Sequence, residues 1–262
     1  GAKRDALVAH VEAGLQCRDR DNPGEIDRVL TDHCAGLSFV PSERAATRLA
    51  TAGLTDRVHV AGDVMYDALC RLRSHARDRS TILDDLGHDP GEYVLATVRR
   101  ASSPHGRRFR SILSGLADAP KPVVLQAHPR TEGLDRAIRA AGTPESVTVV
   151  DPVSYLDVVR LLDGAERVAT DAARVQKEAF YLDTPCVTLR ADTPWIETVA
   201  AGWNVLVGTR PDAIARNLGR SFRRPDKPTL YGNGNAADEI VATLEAEVDA
   251  ARSGEAADGV VI

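Results

Sequence analysis

Tyr93-Val94-Leu95-Ala96-Thr97-Val98-Arg99-Arg100 is the stretch on which the fold turns, because apolar and β-branched residues follow one another without polar alternation until two cations close the run. A strand buried on one face alternates and a strand buried on both does not, so residues 93–98 read as a central strand of a parallel sheet. Comparable runs stand at 7–11, 37–40, 58–61, 123–126, 147–150, 168–170, 186–189 and 205–207. Helical spacing lies between them: Ser42 opens a helix over 42–52, Leu156, Val159 and Leu162 recur on one face, and Asn235 caps a last helix carrying Ile240, Leu244 and Val248. The alternation is βαβα, which means an α/β fold with helices covering parallel sheets. The polar stretch 77–91, holding Gly87, Pro90 and Gly91, looks like a boundary before a complete α/β domain.

The chain has 262 residues, 43% hydrophobic and 27% charged, which supports substantial cores and excludes a disordered tail or a disulfide scaffold. Thirty-three basic against 38 acidic residues give a formal charge of -5 with no Lys/Arg block, so neither nucleic acid nor a membrane surface is an expected partner. No apolar run reaches the length of a bilayer span and no secretory leader pattern follows Gly1, hence the expectation of a cytoplasmic protein. Cys17, Cys34, Cys70 and Cys186 are widely spaced without a C-x-x-C, as reduced thiols are, and no metal or cofactor is expected.

Several residues sit where chemistry is done in such folds, just past the carboxyl ends of strands. Glu12, in His10-Val11-Glu12-Ala13-Gly14-Leu15, reads as an acid or base, or else as a carboxylate that caps or bridges. Glu25 follows in a polar loop, 19–28, that feeds a helix over 26–34, where a carboxylate also suits the helix dipole. Arg99 and Arg100 place two cations where a diphosphate would lie, with exposed loop arginines as the alternative. Thr170-Asp171-Ala172-Ala173-Arg174-Val175-Gln176-Lys177-Glu178 repeats the strand-turn-helix pattern whose free N–H groups bind anions, although alanines approach a phosphate less closely than glycines. His128-Pro129-Arg130 ends another strand. There is no G-x-G-x-x-G, Walker loop or G-x-S-x-G, which argues against a nicotinamide dehydrogenase, a P-loop NTPase and a serine hydrolase.

In order along the chain, His10 to Leu15, Arg28-Val29-Leu30-Thr31-Asp32-His33, Val60-Ala61-Gly62-Asp63-Val64-Met65-Tyr66-Asp67, His128-Pro129-Arg130-Thr131, Asp151-Pro152-Val153-Ser154-Tyr155-Leu156-Asp157, Pro185-Cys186-Val187-Thr188-Leu189-Arg190, Asn204-Val205-Leu206-Val207-Gly208-Thr209 and Tyr231-Gly232-Asn233-Gly234-Asn235 resemble the motifs of the non-hydrolysing UDP-N-acetylglucosamine 2-epimerases. The resemblance implies a glycosyltransferase-B-like fold of two Rossmann-like domains with a UDP-sugar in the cleft between them, the N-terminal domain being incomplete here by about 100 residues. It divides the chain into residues 1–66 as the C-terminal part of the first domain, 67–210 as the UDP-binding domain, and 211–262 as closing helices and tail. A shorter alternative from the residues alone lets the early strands join the later sheet. The resemblance also implies a homodimer, contacts of this kind being expected through residues 1–66.

The implied reaction removes the C2 proton and eliminates UDP to leave 2-acetamidoglucal, after which UDP adds back with the opposite C2 configuration. Glu12 matches the carboxylate of the first motif. Elsewhere the ligand-facing positions depart from the family. Its Pro-Glu-Glu-x-Asn-Arg reads Pro23-Gly24-Glu25-Ile26-Asp27-Arg28, leaving Glu25 as the remaining acid; its catalytic His is Arg99; its Ser-Gly-Gly turn is Ala172-Ala173-Arg174. Lys177 replaces the first of a Glu pair, and Glu178 retains the second, which in the family holds the ribose hydroxyls. By this comparison Glu12 and Glu25 are the catalytic candidates, while Arg99, Ala172, Ala173, Arg174 and Glu178 are the substrate-binding ones. The expectation is an epimerase of weak or absent activity; the alternative is a non-catalytic UDP-sugar-binding or interaction module on the same fold.

Overall fold

The computed structural model describes residues 6–15, 23–99, 107–126, 138 and 142–253. Cys17, Arg100 and the segment His128-Pro129-Arg130-Thr131 lie outside the described residues. In chain order the elements are β1 (Ala9–Val11), α1 (Pro23–Cys34), β2 (Leu37–Val40), α2 (Glu43–Thr51), β3 (Val58–Val60), α3 (Val64–Arg79), α4 (Ile82–Leu86), β4 (Val94–Thr97), α5 (Arg107–Ala117), β5 (Val123–Gln126), β6 (Val147–Val150), α6 (Tyr155–Gly164), β7 (Arg167–Thr170), α7 (Ala173–Tyr181), β8 (Cys186–Thr188), α8 (Ile196–Ala200), β9 (Asn204–Leu206), α9 (Pro211–Gly219) and α10 (Ala236–Ser253). Among them no helix is long and apolar enough to cross a membrane.

The chain forms two compact units, Gly1–Cys70 with Thr229–Ile262, and Arg71–Pro228, so the division falls inside α3. Residues 211–228 therefore pack with the second unit and 229–253 with the first. In the first unit β1, β2 and β3 form a parallel sheet with β2 in the middle, all four of its residues buried. The Ser42 side chain accepts from the Ala45 N–H at 3.3 Å and starts α2 at its expected place. Leu37, Phe39, Ala61 and Ile240 bury one face of the sheet against Leu244 of α10 and Val64, and Ala13, Val40, Ala45 and Leu49 bury another. Two distant motifs meet here. The Asp63 N–H donates to the Tyr231 carbonyl at 3.0 Å, and a Cβ on Gly232 would stand 3.0 Å from the Cα of Gly62, so both backbones need glycine to pass.

The second unit holds a six-stranded parallel sheet in the order β6-β5-β4-β7-β8-β9. The order reverses direction between β4 and β7, and open sheets of this kind bind ligands in the crevice outside the carboxyl ends at such a point. Both strands are buried throughout, which is why residues 93–98 lack alternation. Val94, Ala96, Val123, Leu125, Ala169 and Val187 of the sheet meet Phe109, Ile112 and Leu116 of α5 and Ile214 and Leu218 of α9 in one core. Helices α5 and α9 approach closely because Gly115 has no side chain: a Cβ there would sit 2.8 Å from the Pro211 carbonyl oxygen.

Among the boundaries that differ from the sequence reading, two have a local chemical reason. Helix α1 begins at Pro23, ahead of the expected residue 26, since proline fits the first helical position where its missing N–H is not needed. Strand β7 begins at Arg167, whose guanidinium donates to the Asn217 carbonyl at 3.2 Å and to that of Arg220, so a buried cation opens the strand.

Candidate functional site

In the second unit the residues that follow β4 and β7 are brought together. Thr97 and Thr170 are paired across the two strands and their hydroxyl oxygens lie 2.6 Å apart. One step further, the Arg99 N–H donates to Asp171 Oδ1 at 2.8 Å, which ties the loop after β4 to the turn after β7 and leaves the Arg99 side chain exposed. Ala172 is buried in ordinary extended backbone and caps α7 without a side-chain bond, its own N–H donating to Thr170 Oγ1 at 3.0 Å. The first turn of α7 carries no acid, and the buried Asp171 stands one residue before its N-cap. Ala173 contributes its carbonyl to the Trp195 indole N–H at 2.7 Å.

One turn along α7, Glu178 is 1% exposed and yet charged groups surround it. Its Oε1 accepts from the Tyr155 hydroxyl at 2.7 Å and from Arg174 Nε at 2.8 Å, and the Arg174 guanidinium also lies over the Tyr155 ring, 4.9 Å from its centre. Burial, with the nearby Glu178 carboxylate reinforcing it, pushes the Tyr155 hydroxyl up to about 12. Burial works against the charge of Arg174, but Glu178 and Tyr155 outweigh it and hold the guanidinium above its usual range. Lys177, also buried, sets its ammonium 4.3 Å from the centre of the Trp195 ring.

In the first unit Glu12 directly follows β1 and has left-handed backbone, φ +64°, a conformation that costs an ordinary side chain about 1–2 kcal/mol. Such a conformation persists only where the surroundings hold it. The Ala13 N–H donates to the Phe39 carbonyl at 3.0 Å and the Gly14 N–H to Asp32 Oδ1 at 3.3 Å, which pins the turn from both sides. Asp32 Oδ1 also lies 2.7 Å from His10 Nδ1. Glu25, 2% exposed, stands in the first turn of α1, where Arg28 Nε and Nη2 both donate to its Oε2 at 3.2 Å. Gly24 and Glu25 are both helical, so the Glu25 side chain leaves α1 about 100° around the axis from position 24.

Of the seven sequence candidates, Arg99, Ala172, Ala173, Arg174 and Glu178 gather at one edge of the six-stranded sheet, and Glu12 and Glu25 belong to the other unit. Three participants escaped the sequence reading: Asp171 as the tie to Arg99, Tyr155 as the donor to Glu178, and Asp32 as the anchor of the Glu12 turn. Asp171 and Asp32 are each nearly fully buried, and an acid that directly ends an apolar strand is a readable signal for the first of them.

Known proteins are similar to this chain over almost its whole length. The family model described as UDP-N-acetylglucosamine 2-epimerase matches residues 1–245. A UDP-N-acetylglucosamine 2-epimerase homolog of Methanococcus maripaludis is 36% identical over 252 residues, 93% of this chain and 70% of the relative. A UDP-2,3-diacetamido-2,3-dideoxy-D-glucuronate 2-epimerase of Pseudomonas aeruginosa is also 36% identical, over 254 residues, 93% of this chain and 69% of the relative. The crystal structure of Methanocaldococcus jannaschii UDP-GlcNAc 2-epimerase in complex with UDP-GlcNAc and UDP superposes with a TM-score of 0.78 at 31% identity, covering 94% of this chain and 70% of that one. The parallel, Rossmann-like and glycosyltransferase-B-like architecture expected from the motifs is the one observed. With a family match reaching from residue 1 to 245 and relatives above 30% identity over nine-tenths of its length, the chain belongs to the UDP-N-acetylglucosamine 2-epimerase family.

Proposed function

We propose that this chain binds a UDP-sugar at the carboxyl edge of its six-stranded sheet and inverts the C2 centre of a 2-acetamido sugar slowly. The observation that carries the reading is the cluster at the β4/β7 switch: Arg99 tied to Asp171, the N-terminus of α7 with no acid in its first turn, and Glu178 held between Tyr155 and Arg174. Diphosphate charge suits the helix end and the two arginines, and a buried carboxylate with one oxygen unengaged by Arg174 or Tyr155 suits a pair of ribose hydroxyls. The M. jannaschii structure with UDP-GlcNAc and UDP supports this ligand class, and the P. aeruginosa relative keeps UDP and the C2 chemistry while changing the sugar.

The chemistry is proton removal at C2 with expulsion of UDP from C1, then return of UDP with a proton delivered to the other face. Glu12 is assigned as a proton-transfer group. Slowness follows from the other positions. Glu25 is engaged by Arg28, Gly24 offers no carboxylate, and Arg99 carries a guanidinium, a group suited to binding phosphate and not to shuttling a proton, where the family has an imidazole. Loss of one acid or base typically removes about 10² to 10⁴ in rate. A homodimer is part of the proposal: Ile26 and Leu30 expose an apolar stripe at i,i+4 spacing on α1, and a monomer in light scattering would remove that part.

The Gly24 and Arg99 positions favour a second reading, a UDP-sugar-binding or interaction module without turnover. A proton NMR time course with UDP-N-acetylglucosamine, and separately with UDP-2,3-diacetamido-2,3-dideoxy-D-glucuronate, decides between them. The manno epimer accumulating over hours supports the slow enzyme. Broadened uridine signals with no new sugar support the binding module, and sharp unchanged signals reject both.

A further inference from the structure

The chain has five asparagines, followed in turn by Pro23, Val205, Leu218, Gly234 and Ala236. Asn233 alone precedes a glycine, the residue whose missing Cβ leaves its own nitrogen least shielded from the side chain before it. Asparagine is among the thermolabile side chains, and its surroundings decide which copy reacts. Asn233 is exposed, in the turn that leads from the crossing of Gly62 and Gly232 into α10. Gly234 has φ +92°, and among the described residues its N–H donates to no acceptor. The other described asparagines are placed differently. Asn204 Oδ1 accepts from Thr188 at 2.7 Å while its Nδ2 donates to Thr198 at 3.3 Å, Asn217 Nδ2 donates to the Ala213 carbonyl at 2.8 Å, and Asn235 is followed directly by the first helical residue of α10.

We infer that Asn233 is a site of spontaneous deamidation, and that its isoaspartate product frees the start of α10 from the first unit. The Gly234 nitrogen attacks Asn233 Cγ and forms a C–N bond; the bond from Cγ to the side-chain nitrogen breaks, and that nitrogen leaves as ammonia carrying the Gly234 proton. The product is a succinimide ring shared by the two residues. Water then opens it, its hydroxyl going to a ring carbonyl and its proton to the Gly234 nitrogen. Opening at Cγ gives aspartate on an ordinary main chain, and opening at the Asn233 main-chain carbonyl gives isoaspartate, whose main chain runs through Cβ and Cγ. Either way water is consumed and ammonia released, with no oxidant or reductant.

The surroundings separate the two products. The turn is held on both sides by α3 and the residue before it: the Asp63 N–H donates to the Tyr231 carbonyl at 3.0 Å, and Asp67 Oδ2 accepts from the Ala237 N–H at 2.7 Å. Between those bonds a Cβ on Gly232 would stand 3.0 Å from the Gly62 Cα, and one on Gly234 would stand 3.4 Å from Cys70 Sγ, so the path has little slack. Aspartate leaves the path unchanged and puts a negative charge ahead of a helix N-terminus, where it is favourable. Isoaspartate adds a methylene to the main chain. The glycine crossing and the buried Tyr231 fix one side, so the bond from Ala237 to Asp67 is the one that yields. The far part of α10 is held separately by the ion pair of Glu247 with Arg57, which confines the loosening to the first turns.

The full chain is aged at neutral and at mildly alkaline pH in water enriched in heavy oxygen, digested in ordinary water, and read by mass spectrometry, with isoaspartate methyltransferase as the probe for the isoaspartate form. Heavy oxygen should enter residue 233 at least about tenfold faster than residue 235, and faster still at the higher pH, because the attacking nitrogen must lose its proton. Asn233→Gln, an exposed change whose larger ring closes slowly, should abolish the uptake in that segment while the circular dichroism stays that of the parent. Hydrogen exchange then compares the aged chain with fresh Asn233→Asp. Amides 237–240 should exchange about tenfold faster in molecules that carry isoaspartate and at the parent rate in Asn233→Asp, with α5 as the internal reference. No uptake at residue 233, equal uptake at 235, uptake in that segment undiminished in Asn233→Gln, or an isoaspartate form whose first α10 turn exchanges like the parent's would each overturn the proposal.

Discussion

Arg174 Nε donates to Glu178 Oε1 at 2.8 Å, one helical turn apart, so the cation standing at the expected glycine position of the turn is bonded to the acid assigned to the ribose. The pair is lopsided: Arg174 is largely in solvent and Glu178 is not. Replacing Arg174 by Ala therefore removes a charge near the diphosphate and leaves the carboxylate in place. UDP affinity should drop about tenfold, in line with one charge-assisted hydrogen bond, while uridine affinity changes little. Glu178→Ala should weaken both ligands. Calorimetric titration of the two ligands on the two variants checks the assignment, and equal losses of UDP and uridine in Arg174→Ala would count against it.

Gly24 opens a place for a carboxylate that α1 already presents in helical geometry. Gly24→Glu should raise exchange of the sugar C2 proton with deuterated solvent at least tenfold, a conservative share of the about 10²- to 10⁴-fold that an acid or base contributes. Exchange followed by NMR without waiting for net epimerisation isolates this step. An unaltered rate would place the missing proton transfer elsewhere.

The turn after β1 allows clash and strain to be separated. Gly14 has φ +72°, and a Cβ there would stand 2.5 Å from the Ala45 carbonyl oxygen; Gly53 has φ +81° with nothing within 4 Å. Gly53→Ala should lose about 1 kcal/mol from backbone strain alone, and Gly14→Ala about 1–3 kcal/mol more because α2 must move. Urea denaturation gives both numbers, and equal losses would mean that α2 yields freely at Ala45.

Tyr155 supplies a pH dependence whose sign can be worked out. Its folded hydroxyl titrates near 12 and its unfolded one at the ordinary 10.0, so below about pH 10 both states keep the proton and the contribution is intact. Between 10 and 12 the unfolded chain gives up its proton while the folded chain does not, and stability falls. Tyr93, pushed up by burial, adds to the fall in the same window. Tyr155→Phe should flatten the decline measured by denaturation from pH 9 to 11 without abolishing it. A slope identical to the parent would contradict the burial of that hydroxyl.

How much of this was legible depended on the range of the interaction. The central strands could be read because burial on both faces erases alternation, as in Val94–Thr97, and Ser42 could be read because a cap acts over three residues. Arg99 and residues 172–178 could be placed at a sheet edge because each directly follows a strand. That β4 and β7 are neighbours could not be read, since 70 or so residues separate them and nothing local encodes adjacency; with it went the bond between Arg99 and Asp171. Arg167 was missed for the opposite reason. A charge at the start of a strand looks like a loop residue until the carbonyls of Asn217 and Arg220 are seen to receive it. The Tyr231 to Asn235 motif carried its own clue, because glycines at 62 and 232 are what two crossing backbones require.

The left-handed backbone at Glu12 bears on how this protein should be altered. A search for thermostability that scores each position by local comfort would select glycine or asparagine there, and the melting temperature would reward the choice. On the proton-transfer role proposed for Glu12, improvement by that criterion and preservation of the chemistry run in opposite directions at this residue, so libraries built on the chain should hold Glu12 constant and seek rigidity in loops remote from it.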